Sequence, residues 1–127
     1  MQKVRILVVE DETIVSLDIQ RRLKTLGYEV AGASVSGEDA IYKAATHRPD
    51  LVLMDLQLPG IDGAEALRQI READETQIPV VAVTAFAMND DRERAFASGF
   101  DGYVEKPISV RALPQQVRDF LRLRGTA

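Results

Sequence analysis

The stretch Leu51-Val52-Leu53-Met54 runs without a polar residue straight into Asp55, and the chain turns soon after at Pro59-Gly60. An apolar run this short and this continuous reads as a strand covered on both faces, which is the habit of parallel sheets. Asp55 then stands at the carboxyl end of a central strand. In open α/β sheets that edge is where ligands gather. Taken alone, a strand-terminal Asp is better explained as the start of a turn, so the rest of the chain has to decide.

The other segments repeat the pattern. Val4 to Val9 is β-rich and ends in Glu10-Asp11-Glu12, and Thr13 to Leu26 sets Val15, Ile19, Leu23 and Leu26 on one helical face before Gly27. Tyr28 to Val35 reads as a second strand. Ser36 is an N-cap for a helix with acids in its first turn and with Ala40, Ile41, Ala44 and Ala45 at helical spacing, closed by His47-Arg48-Pro49. A third helix follows Gly63, with Leu67 and Ile70 inward and Arg68, Arg71 and Glu72 outward. Val80 to Val83 is a buried strand ending at Thr84, and a helix from near Asn89 carries Ala95 and Phe96 inward and stops at Gly99. Gly102-Tyr103-Val104-Glu105 is a short strand before Lys106-Pro107. Ser109 caps a last helix with Leu113, Val117, Phe120 and Leu121 on its apolar side, and Pro114 predicts a late start or a bend there. Five strands alternating with five helices imply right-handed crossovers and a parallel sheet covered on both faces. The 127 residues suit a single domain, with 123–127 as a tail.

Bulk properties narrow the function. A net charge of −4 offers no general attraction to nucleic acid or an anionic membrane. With no cysteine, thiolate metal sites and a Cys nucleophile are excluded. No apolar run approaches a membrane span, and Met1-Gln2-Lys3 leads into a strand rather than a signal peptide, so the expected location is the cytoplasm.

The strand carboxyl ends share one rim and bring together Glu10-Asp11-Glu12, Asp55, Thr84 and Lys106. Singly, each has a plainer explanation: acids ahead of a helix, a strand-end threonine, a solvated loop lysine. His47 reads as surface, and Asp90 to Arg94 as the solvated face of its helix. Together, crowded carboxylates favour a bound cation, and an all-oxygen donor set favours a hard ion such as Mg²⁺ over zinc. A hard cation beside a carboxylate, a hydroxyl and a lysine is equipment for handling a phosphoryl group, with an Asp as covalent acceptor.

Four pieces of the chain, Val8-Val9-Glu10-Asp11-Glu12, Leu53 to Gly63, Pro79 to Ala85 and Gly102 to Pro107, resemble the receiver domain of bacterial two-component response regulators. The resemblance spans nearly the whole chain. It implies a flavodoxin-like fold with strand order 2-1-3-4-5, and Asp55 as phosphoacceptor. Asp11, Asp55 and the backbone carbonyl of Gln57 would hold Mg²⁺ (Mn²⁺ substituting), with Glu10 assisting through water. Thr84, the backbone amide of Ala85 and Lys106 would receive the phosphoryl oxygens, Tyr103 would be the switching aromatic, and Lys106-Pro107 would be cis. Glu10 stands where Asp is commoner, and Phe86 is a bulky neighbour of the site.

The same resemblance implies a histidine kinase or histidine phosphotransfer protein as donor and a protein effector on the face of the fourth helix, fifth strand and fifth helix, with a phosphorylation-dependent dimer as a further outcome. The domain would assist its own phosphotransfer and autodephosphorylation without being an enzyme in the ordinary sense. Two other functions fit parts of this pattern. An Asp-nucleophile, Mg²⁺-dependent phosphohydrolase needs an acid two residues past the nucleophile, where this chain has Gln57, which cannot shuttle a proton. A receiver belonging to a larger DNA-binding regulator or hybrid kinase would leave this chain itself without a helix-turn-helix or basic stretch, and without direct nucleic-acid binding.

Overall fold

The structure, a computed structural model, describes residues 3–58, 60–73, 78–84 and 89–122, with only the helical backbone of 89–91. The strands are β1 (Arg5–Val9), β2 (Glu29–Ser34), β3 (Leu51–Asp55), β4 (Val80–Thr84) and β5 (Gly102–Glu105). Between and after them lie α1 (Thr13–Thr25), α2 (Gly37–His47), α3 (Gly63–Ala73), α4 (Asn89–Ala97) and α5 (Leu113–Arg122). All four pairings are parallel, and the sheet order is β2-β1-β3-β4-β5. Both the class and the implied order are therefore observed.

Strand alternation divides the core. Leu7, Val9, Val52, Met54, Val80 and Ala82 face one side and meet Ala40 and Ala44 of α2, Ala66, Leu67 and Ile70 of α3, and Ala95 of α4. Ile6, Val8, Leu51, Leu53, Val81, Val83 and Val104 face the other and meet Ile19 and Leu23 of α1 and Leu113 and Val117 of α5. Every residue of β3 and β4 is buried, because both strands are covered by helices above and below. Register runs Asp55 opposite Val83 and Thr84 opposite Glu105, which brings the strand ends to one rim.

Helix ends follow local chemistry. Gly27 (φ +91) and Gly99 (φ +104) occupy left-handed positions that glycine adopts without a Cβ penalty. At both, the glycine amide reaches back three positions (Gly27 N to Lys24 O, Gly99 N to Phe96 O) and the next amide five (Tyr28 N to Leu23 O, Phe100 N to Ala95 O), the bond pair of a Schellman cap. The expected late start of α5 is seen: Ser109 Oγ accepts from Ala112 N at 3.1 Å, and Pro114 falls in the first turn, where its missing N–H costs little. A one-residue irregularity in the β1–β2 register leaves Ala31 unpaired, and Nδ1 of the exposed His47 lies 2.8 Å from its carbonyl.

Three expectations need correction. Phe96 is 47% exposed rather than inward, because Ala95 takes the buried line of α4 and Phe100, just past Gly99, fills the apolar slot. Arg71 is not simply outward: it donates to the Ile78 carbonyl and pairs with Asp101, tying α3 to the starts of β4 and β5. Ala45 is exposed, since α2 buries only its Ala40–Ala44 line. Among the described residues, no helix is long and apolar enough to cross a membrane. The expected tail at 123–127 lies outside the described residues, as do Ala85 and Phe86.

Candidate phosphoryl and metal site

Asp55 ends β3 as a buried carboxylate with both oxygens engaged. Oδ1 accepts the amide of Gln57 at 2.9 Å, and Oδ2 accepts Lys106 Nζ at 2.9 Å. The Gln57 bond is an Asx-type turn, the local reason an Asp suits the point where the strand stops. Lys106 also donates to Glu10 Oε1, so a single ammonium bridges two carboxylates from the ends of the adjacent strands β1 and β3. The Lys106 amide donates to the Thr84 carbonyl at 2.8 Å, which fixes the lysine's backbone to the end of β4. The Lys106–Pro107 bond is cis.

The acidic triplet does not act as a conventional helix cap. Glu12 occupies the N-cap position of α1 without a side-chain cap hydrogen bond, and the other Glu10 oxygen, Oε2, accepts Glu12 N at 3.2 Å. Glu10 is folded inward and buried while Asp11 stays exposed, yet ligand oxygens of Glu10, Asp11 and Asp55 all lie within 4.8 Å of one another. Carboxylates this close repel, and one lysine does not balance three of them.

The electrostatics record that strain. Burial pushes the Glu10 carboxyl up to about 7; the Lys106 bond works against this, and the neighbouring Asp55 adds to it. Burial alone would lower the Lys106 ammonium, but its bonds to Glu10 and Asp55 outweigh that and hold it above its ordinary value. The donors are all hard oxygens, the set that suits a Mg²⁺-like cation, and the residues present fit such an ion.

Thr84 is buried at the β4 end, and Tyr103 is half-buried against the core beneath α2, α3 and α4. The structure thus brings Glu10, Asp11, Asp55, Thr84 and Lys106 to one rim, while Gln57 stands exposed in the loop after β3. The Ala85 amide, expected beside Thr84, lies outside the described residues. Two supporting residues had no signal in the sequence. Arg22 of α1 donates to the Ile108 carbonyl at 3.1 Å, just beyond Lys106-Pro107, and Glu38 of α2 accepts the Ile61 amide at 3.3 Å.

Comparison with known proteins decides the family. Residues 6–118 match the response regulator receiver domain. This chain belongs to that family. It is 38% identical over 117 residues to the polar-differentiation response regulator DivK of Brucella anthropi, covering 91% of this chain and 94% of DivK. Its structure is similar to the receiver domain of the sensor histidine kinase PA1611 of Pseudomonas aeruginosa, with a TM-score of 0.84, 33% identity and coverage of 95% and 99%. That receiver domain holds a magnesium ion coordinated in its active site cleft. A third match, with a TM-score of 0.82, 26% identity and coverage of 96% and 91%, comes from the complex of the Saccharomyces cerevisiae histidine phosphotransfer signalling protein Ypd1 with the receiver domain of its downstream response regulator Ssk1. Receiver domains bind Mg²⁺ at an acidic cluster and interact with histidine kinases or phosphotransfer proteins. The receiver domain described here carries such a cluster in Glu10, Asp11 and Asp55.

Proposed function

We propose that this receiver domain is a phosphorylation switch that takes a phosphoryl group onto Asp55 from the phosphohistidine of a kinase or phosphotransfer protein in the cytoplasm. The observation that carries the reading is the bridge of Lys106 across Asp55 and Glu10, beside an acidic group open to solvent only at Asp11. Asp11, Asp55 and the Gln57 carbonyl would hold Mg²⁺, with Glu10 acting through water and Mn²⁺ serving as a substitute. When bound, the ion supplies neutralisation of charge on the phosphoryl oxygens.

The chain's own residues do the rest. An Asp55 carboxylate oxygen forms a bond to phosphorus as the phosphorus–nitrogen bond of the donor breaks, its electron pair passing to the ring nitrogen. Lys106 turns from bridging two carboxylates to pairing with a phosphoryl oxygen. The Thr84 hydroxyl and the Ala85 amide receive the others, and Tyr103 moves inward as Thr84 shifts. The population then favours a remodelled face of α4, β5 and α5 that an effector, or a second copy of the domain, reads. Phe96 and Val110, both exposed apolar residues, support that surface. Ile14 and Leu17, 83% and 57% exposed at the start of α1 beside the acidic rim, support docking of the donor there. Hydrolysis of the acyl phosphate, assisted by the same groups, resets the switch.

The test is intact mass after incubation with acetyl phosphate and Mg²⁺. One phosphoryl adduct is expected on the wild type and none on Asp55→Ala. An unmodified wild type, or equal modification of the variant, would sink the assignment.

A further inference from the structure

The loop from Leu56 to Asp62 carries Gln57 and so governs one side of the proposed cation site. Its ends are tied locally: Gln57 N donates to Asp55 Oδ1 at 2.9 Å, and Asp62 Oδ1 accepts Glu65 N at 2.8 Å at the start of α3. Its middle is held by another element. Ile61 lies so close to Gly37, the first residue of α2, that a Cβ built there would meet Ile61 Cγ1 at 2.7 Å and the Ile61 carbonyl at 3.1 Å. The next residue of α2, Glu38, accepts the Ile61 amide through Oε1 at 3.3 Å, and its carboxylate rests against Gly60, whose Cβ would stand 2.8 Å from that oxygen. Gly60 itself has φ +78, a conformation suited to glycine.

The helix doing the holding is itself fixed. Ser36 Oγ caps it by accepting Asp39 N at 3.2 Å, Lys43 donates to the Ala33 carbonyl of β2, and Ala40 and Ala44 are buried on the sheet. The β3–α3 loop is thus keyed into a rigid neighbour by one shape fit and one hydrogen bond. No carboxylate of the acidic rim is needed for either.

We propose that Gly37 and Glu38 are positioning residues for the cation site: the first turn of α2 sets the path of the β3–α3 loop, and thereby where the Gln57 carbonyl stands relative to Asp55. This rests on the reading of Asp55 and Gln57 as cation ligands. A side chain at position 37 displaces Ile61 together with its backbone, because the near contacts include the Ile61 carbonyl. Loss of the Glu38 acceptor frees the Ile61 amide from this side-chain bond. Both changes act on ligand geometry from outside the ligand set, as outer-shell partners do at metal sites.

The experiment is a Mg²⁺ titration followed by the amide shifts of Asp11 and Gln57, alongside thermal midpoints in magnesium-free buffer. Gly37→Ala is expected to weaken Mg²⁺ binding by about tenfold, and Glu38→Ala by a smaller factor of about threefold. The double variant Gly37→Ala/Ile61→Ala, which removes the side-chain contacts at Cγ1 and Cδ1 but keeps the one with the carbonyl, should regain part of the affinity. Glu38→Gln keeps an acceptor oxygen and removes the charge, so it should bind like wild type. Glu38→Gln as weak as Glu38→Ala would mean that charge rather than position matters, and would overturn the proposal. So would Mg²⁺ affinities of Gly37→Ala and Glu38→Ala within twofold of wild type. Glu38 is exposed, so its two variants carry the test even if Gly37→Ala fails to fold. A wild type that binds no Mg²⁺ at Asp11 and Gln57 would instead refute the cation site itself.

Discussion

Helices α3 and α4 follow neighbouring strands, β3 and β4, and have little else in common. α3 buries Gly63, Ala66, Leu67 and Ile70, spaced as one apolar stripe, and carries Arg71 bonded to the Ile78 carbonyl and to Asp101. Of the described side chains of α4, Ala95 alone is buried, with Arg92, Glu93, Arg94, Phe96 and Ala97 exposed. Its large apolar contact is supplied by Phe100, which lies beyond the helix. Among the described residues, one flank of the site is therefore anchored by a buried stripe, whereas the other buries a single side chain and ends in a Schellman cap. Elements that move in switches come from the low-stability end of a structure, because few buried contacts hold them in one place. The difference supports the proposed reading, in which the α4 side responds and the α3 side stays fixed.

The largest expected effect tests that contrast by truncation. Ile70→Ala should cost ~2–5 kcal/mol in urea unfolding through lost burial and a cavity, whereas Phe96→Ala should stay within ~0.5 kcal/mol. A comparable cost at Phe96 would break the comparison. Hydrogen exchange sharpens it further: α4 amides should open at lower free energy than those of α3.

A smaller effect should arise at the acidic corner, where Glu10 follows β1. The Glu10 carboxyl sits at about 7 in the folded protein against an ordinary 4.5, so between those values the native state binds more protons than the unfolded one. Stability of the magnesium-free protein should then fall as pH rises through that window, by roughly 1–3 kcal/mol. Lys106 is held above its ordinary value, so its contribution is full throughout the window and is lost only at much higher pH. Glu10→Gln should flatten the slope. A slope that survives in Glu10→Gln would relocate the titration.

The smallest effect concerns the loop that carries Lys106. Arg22→Ala removes the 3.1 Å bond to the Ile108 carbonyl and should cost ~1 kcal/mol or less. It should also slow phosphate uptake from acetyl phosphate severalfold. Uptake at the wild-type rate would show that β5 alone places the lysine.

How much was legible beforehand follows from how local each feature is. β3 could be bounded at Asp55 because an unbroken apolar run ending in a carboxylate has few other uses. Thr84 and Lys106 could be placed on the same rim because parallel strands all end on one edge. Phe96 was misread because two aromatics flank Gly99 and only the Schellman geometry decides which turns inward. Arg71 was misread because its partner Asp101 is 30 residues away. The bonds of Arg22 to Ile108, 86 residues apart, and of Glu38 to Ile61, 23 apart, left no trace in any local pattern.

By itself, then, the chain determined which segments are strands and helices, where each stops, and that acids, a hydroxyl and a lysine share one edge. These are consequences of periodicity, turn chemistry and parallel pairing, which act over a few residues at a time. Only the tertiary structure decided that one ammonium would bridge Asp55 and Glu10, that burial would hold the Glu10 carboxyl near neutrality, and that α2 would hold the loop bearing Gln57. Those outcomes depend on distances between elements remote in sequence and on how completely they exclude water, and neither quantity exists until the sheet and its helices have closed on each other.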